Sequence, residues 1–128
     1  MGAARFEIFM AKDGKWHWRL CPTDGGDVLA HSGERFESVA ACEHGISIVV
    51  QHIREAASLL DGSGGLVGAV PMLRLFRGYA DDWKWALYSD GAGVFLASSA
   101  EGYDKEGECR DAFDRVVQLV KDASVEAV

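Results

Sequence analysis

Residues 5–53 recur at 72–120 at a constant offset of 67, without a gap. Phe9 aligns with Phe76, Trp16 with Trp83, Trp18 with Trp85, Leu20 with Leu87, Gly26 with Gly93 and Leu29-Ala30 with Leu96-Ala97. Ser32 then meets Ser99, Glu34 meets Glu101, Cys42 meets Cys109, and Val49-Val50-Gln51 meets Val116-Val117-Gln118, thirteen identities in forty-nine aligned positions. A repeat of this length must be recognised before any element is assigned, because it states that one supersecondary unit is written twice. Two copies at this spacing exclude a solenoid, whose repeats are shorter and more numerous.

Each copy reads as three strands followed by a helix. Phe6, Ile8 and Met10 alternate with Glu7 and Phe9, the period of a strand with one buried face. After the turn Lys12-Asp13-Gly14-Lys15, the segment Trp16-His17-Trp18-Arg19-Leu20 puts two indoles and a leucine on one side, with His17 and Arg19 on the other. A second turn at Pro22–Gly26 leads to a third strand over Val28–His31, and short turns between neighbours predict an antiparallel meander. From Ser38 the period changes: Cys42, Ile46, Val49, Ile53, Ala57 and Leu60 form a helical stripe, with Ser38 placed as its N-cap. The second copy repeats the plan through Leu73 and Leu75, Trp83–Leu87, Phe95–Ala97 and a helix starting near Asp104 with Cys109, Phe113, Val116 and Val120 inward.

A three-stranded sheet with one helix leaves open edges. The expectation is therefore an α+β domain over 1–128 made of two tandem β-β-β-α repeats packed with pseudo-two-fold symmetry, antiparallel sheets covered by helices. The first unit spans 5–60, a linker 61–71 and the second unit 72–123. A chain of 128 residues can bury such a core without disulfide or metal support. This predicts a monomer with an internal pseudo-dimer, open to further dimerisation.

Composition narrows the function classes. The net charge of −7 divides as −3 over residues 1–64 and −4 over 65–128, with no basic stripe in the sequence. Duplex nucleic acid is therefore not the expected partner. Cys21, Cys42 and Cys109 are odd in number and show no metal spacing, which fits a reducing cytoplasm. The N-terminal residues lack the apolar run of a signal peptide, and no segment is long and apolar enough for a membrane span.

The run Ala30-His31-Ser32-Gly33-Glu34-Arg35-Phe36-Glu37-Ser38, with Cys42-Glu43-His44-Gly45-Ile46 on the helix, resembles the YegP-like family of small bacterial and archaeal proteins. Trp85-x-Leu87 and Ala97-x-Ser99-x-Glu101-x-Tyr103 carry the resemblance into the second copy. Gly25-Gly26 and Ala92-Gly93 stand in place of the family's Asn-Gly turn, His44 in place of its Asn, and Ala112-Phe113 in place of Gly-Ile. The resemblance implies tandem β-β-β-α units, with single-repeat relatives forming the same object as dimers. It supplies no catalytic residues to carry over, and fold does not fix function.

Three readings of the candidate residues follow. The expected one is a non-enzymatic binding or interaction module for a protein or small ligand, with no cofactor, no metal and no catalytic group. Its candidate residues are Trp16, Trp83, Ser32, Glu34, Ser99 and Glu101. In the second, the Trp-x-Trp strands stack bases of single-stranded nucleic acid or a small aromatic ligand, although alternation with Leu20 and Leu87 predicts Trp18 and Trp85 in the core. In the third, the repeated Ser/Glu pairs act as an acid/base set. Cys42 and Cys109 fall on buried stripes, where cysteine behaves as a small hydrophobe, and the four histidines form no metal spacing.

Overall fold

The computed structural model describes residues 3–61, 72–78, 81–89 and 95–128. Strands β1 (Ala4–Met10), β2 (Trp16–Pro22) and β3 (Ala30–Ser32) precede helix α1 (Val39–Asp61). Strands β4 (Met72–Arg77), β5 (Trp83–Tyr88) and β6 (Phe95–Ser99) precede helix α2 (Glu106–Val120), and β7 (Ser124–Ala127) ends the chain. The expected linker falls largely outside the described residues, and so does the Ala92-Gly93 turn; Asp61 belongs to α1.

The seven described strands form one sheet in the order β4-β5-β6-β3-β2-β1-β7. This replaces the expected antiparallel sheets with a single mixed sheet, for two reasons. The two meanders join edge to edge through β3 and β6, with Ala30 opposite Ser99, His31 opposite Ser98 and Ser32 opposite Ala97. The unforeseen β7 then adds in parallel to β1, from Arg5 opposite Ser124 to Ile8 opposite Ala127. Each pairing satisfies backbone groups that an open edge would leave to solvent or to another chain.

Both helices pack on one face. Phe6, Ile8, Trp18, Leu20, Trp85 and Leu87 form the sheet side of the core. Cys42, Ile46, Val49 and Ile53 of α1 and Cys109, Phe113, Val116 and Val120 of α2 form the helix side, as their spacing predicts. Trp18 and Trp85 are buried, each edge-on to a phenylalanine at 5.2 Å, Phe6 for the first and Phe113 for the second. Ser38 caps α1 by accepting the Ala41 N–H at 3.1 Å.

The segment between the third strand and the helix is anchored alike in both halves. Trp16 exchanges two backbone hydrogen bonds with Phe36, both 2.8 Å. Trp83 does the same with Tyr103, at 2.6 and 2.8 Å. Gly45 on α1 leaves room for the Phe36 ring, since a Cβ there would stand 2.5 Å from Phe36 Cζ.

Candidate functional site: the helix-free face of the sheet

Strand alternation sends every second residue away from the helices, and the ladders align these residues in rows across the sheet. The central row runs Glu7, Arg19, His31, Ser98, Ala86 and Arg74, each the cross-strand partner of the next. A second row carries aromatic rings. Phe9 stacks on His17 with centroids 6.0 Å apart and planes at 25°, and Tyr88 meets Phe95 at 5.5 Å and 34°. Between them lies Gly33, whose N–H donates to the Leu96 carbonyl at 2.9 Å. A Cβ on Gly33 would stand 2.5 Å from the Phe95 carbonyl oxygen and 2.8 Å from its Cγ, so the Phe95 ring lies against the space that glycine leaves. A third row has Arg5 opposite Cys21 on the β1–β2 side and Phe76 opposite Lys84 on the β4–β5 side.

Two carboxylates pair with side chains of this face: Asp13 Oδ2 lies 3.1 Å from His17 Nε2, and Glu7 sits among the arginines. Glu7 accepts from Arg5 Nε through Oε2 and from Arg19 Nε through Oε1, both at 2.8 Å. The Cys21 thiol donates to Glu7 Oε1 at 3.6 Å. The hydrogen bond from Arg5, then that from Arg19, holds the Glu7 carboxyl below the usual carboxylate range. The Arg19 guanidinium also lies over the Phe9 ring, 4.7 Å from its centroid. Partial desolvation, then the neighbouring Arg19 and His17, push the His31 imidazole below its ordinary value. The face thus carries Arg5, Arg19, Arg74 and Lys84 against Glu7, Asp13 beside His17 and, at the β7 edge 3.7 Å from Arg5, Glu126. A chain of net charge −7 keeps a small excess of cations on this side, with Arg74 and Lys84 at its β4–β5 end.

The helix side is the acidic complement. A cleft of about 630 Å³ between the Pro22–Leu29 segment and α2 is lined by Asp24, Asp27, Glu101, Glu108 and Asp111, with Arg115 among them. Tyr103 lies in it, its phenol pushed up by burial and then by Glu101. A shallower apolar groove of about 290 Å³ runs between α1, the end of α2 and β7, floored by Phe6 and edged by Ile46, Val50, Val120 and Val125.

The six residues singled out in the sequence do not converge. Trp16 and Trp83 are half-buried against the core, and Arg77 lies over the Trp83 ring at 5.8 Å. The Ser32 hydroxyl accepts the Trp18 N–H and the Ser99 hydroxyl accepts the Trp85 N–H, each at 3.3 Å. Glu34 is exposed on the connection to α1, while the exposed Glu101 lines the acidic cleft. Burial pushes the Cys42 and Cys109 thiols up to about 11, so both stay protonated at neutral pH. Among the described residues no group of three or more His, Cys, Asp and Glu side chains could hold a metal ion. Nor is any described helix long and apolar enough to cross a membrane.

Sequence spacing puts His17 and Arg19 on the outer side of β2 but does not join them to Phe9, His31 and Arg74, which lie far apart along the chain. The available signal was that Phe9 and Phe76 are identical at polar-facing positions of their strands.

Comparison with known proteins gives a family and a fold. Residues 11–58 match a domain of unknown function, DUF1508. No curated protein matches the chain. The solution structure of the protein of unknown function yegP from E. coli is similar over 99% of this chain and 94% of that one, with a TM-score of 0.73 and 15% identity. The solution structure of the UPF0339 protein SO3888 from Shewanella oneidensis is similar over 98% of this chain and 91% of that one, with a TM-score of 0.64 and 12% identity. At such identities the likeness speaks for the fold alone. The chain thus carries a DUF1508 match over residues 11–58 and shares the fold of these two structures over nearly its whole length.

Proposed function

We propose that the chain is a duplicated β-β-β-α unit closed on itself about a pseudo-two-fold axis, and that it acts as a non-enzymatic binding module through the helix-free face of its sheet. The duplication is supported by the seam. Ala97 and Ser99 are the offset-67 counterparts of Ala30 and Ser32, and across the seam Ala30 faces Ser99 while Ser32 faces Ala97. That exchange is the mark of an isologous contact. The matched Ser hydroxyl bonds and the matched bridges of Trp16 and Trp83 support it as well.

The observation that carries the binding role is the open face itself: six adjacent strands present cations and rings on the side that neither helix covers. Several side chains that could do chemistry serve the fold. The Ser32 and Ser99 hydroxyls hold backbone N–H groups, and the helix cysteines stay protonated in the core. The three free cysteines suit a reducing compartment.

Heparin affinity tests the site without presuming its ligand. A protein of net charge −7 passes a polyanion column unless a local cationic face retains it. We expect retention at low ionic strength, lost in Arg74→Glu/Lys84→Glu with the circular dichroism spectrum unchanged. Flow-through of the unmodified protein would remove the proposal.

A further inference from the structure

We infer that the ligand of the helix-free face is a single-stranded nucleic acid, with bases stacked on the ring row of Phe9, His17, Phe95 and Tyr88 and phosphates along the row of Arg19, His31 and Arg74. This rests on the open face being the binding site and names what that site takes. Two observations meet here. The first is the ring row: two contacting aromatic pairs on one ladder level, with Gly33 between them and Phe95 38% exposed. Phe9 is already layered between Arg19 and His17, and the exposed Phe95 beside Tyr88 offers the π-face that any base can use, which gives affinity with little sequence preference.

The second is charge complementarity. Arg5, Arg19, Arg74 and Lys84 flank the rings on the side of the molecule opposite the carboxylates of the acidic cleft. From β1 to β4 the face is five strand spacings wide, about 24 Å. That is room for roughly four nucleotides, the short end of known single-strand sites. A duplex fits poorly, because its base faces are stacked inside the helix and cannot reach the rings. The buried indoles of Trp18 and Trp85 take no part; the rings that stack lie on the other side of the sheet.

Fluorescence anisotropy with a labelled oligothymidylate of about ten nucleotides tests the assignment. The expected result is saturable binding at low salt, with log Kd rising against log salt at a slope of about 2 to 3, as for three or four phosphates on a single strand. A duplex of equal length should bind at least tenfold more weakly. Tyr88→Leu and Phe9→Leu should each weaken the oligothymidylate at least fivefold with the far-ultraviolet dichroism unchanged, and the amide shifts caused by the oligonucleotide should cluster on β1–β6 rather than on the helices.

Equal affinity for the duplex, or undiminished affinity in both leucine variants, overturns the nucleic-acid assignment. If heparin is retained through Arg74 and Lys84 while the oligothymidylate does not bind, the ligand class is wrong and the site stands. If neither polyanion binds, both readings fall.

Discussion

Replacing Ser99 by alanine separates two meanings of the repeated serines. The Ser99 hydroxyl is the acceptor for the Trp85 N–H at 3.3 Å, and Ser99 is 6% exposed. Trp85 itself is fully buried, so without the hydroxyl its N–H is left in the core without an acceptor. An orphaned buried donor costs about 1–3 kcal/mol, and no water can reach this one to reduce the loss. Ser32 makes the same 3.3 Å bond to Trp18 but is only half-buried, so a solvent molecule can replace it, and Ser32→Ala should cost about 0.5–1 kcal/mol. Urea unfolding followed by tryptophan emission reads the difference. With a slope of about 2 kcal/mol/M for a domain of this size, Ser99→Ala should lower the midpoint by roughly 1 M and Ser32→Ala by less than half of that. Equal shifts, or no shift at Ser99, would refute the argument that the hydroxyl serves the backbone. Unchanged stability combined with loss of oligonucleotide binding would give the serines to the ligand instead.

Three further outcomes are expected. Glu7 has a folded pKa below its unfolded value, so its contribution to stability is complete above the ordinary carboxylate range near 4.5 and is lost as the pH falls through the lower folded value. Glu7→Gln should therefore cost about 1–2 kcal/mol at pH 7 and flatten the acid limb of a stability-against-pH curve; an unchanged limb would show that the Arg5 and Arg19 bonds are not what holds the carboxylate. Gly33→Ala sets a Cβ against the backbone of Phe95 at the β3–β6 seam, where no rotamer change relieves it, and should lower stability by about 1–3 kcal/mol in thermal unfolding. Neutral behaviour would mean that the seam is looser than its hydrogen bonds imply. Of the three thiols, Cys42 and Cys109 should resist an aromatic disulfide reagent until the protein unfolds, while the half-buried Cys21 reacts first; rapid titration of all three would contradict the core assignment.

The legible parts of the fold were those whose own residues carry a period. Cys42, Ile46, Val49 and Ile53 announce the buried side of α1, and Trp18 and Leu20 announce that of β2, because each element's burial is written in its own spacing. Strand β7 was invisible for the opposite reason. Ser124, Val125, Glu126 and Ala127 are all exposed, and the strand exists because β1 offers it a ladder. The single sheet was hidden likewise, since β3 is three residues long and its partner across the seam is a tertiary fact. The cationic face escaped because charges were counted along the chain, where each half is acidic. Alternation in β1, β2, β4 and β5 sorts Arg5, Arg19, Arg74 and Lys84 to one side, and no linear count resolves that.

Sorting residues by whether both copies share them also has a limit. Most shared residues serve the helix side or its supports: Trp18 and Trp85, Leu20 and Leu87, Cys42 and Cys109, and the two serines. Phe9 and Phe76 do not, since both project from the open face, at opposite corners of the six-strand stretch from β1 to β4. A face with perfect two-fold symmetry would offer a polar strand two equivalent directions. The central row removes that equivalence, because the counterparts of Glu7, Arg19 and His31 are Arg74, Ala86 and Ser98. In the proposed reading, divergence along this row gives the platform a direction: a strand laid on it would meet the paired Glu7 carboxylate at one end and Arg74 at the other.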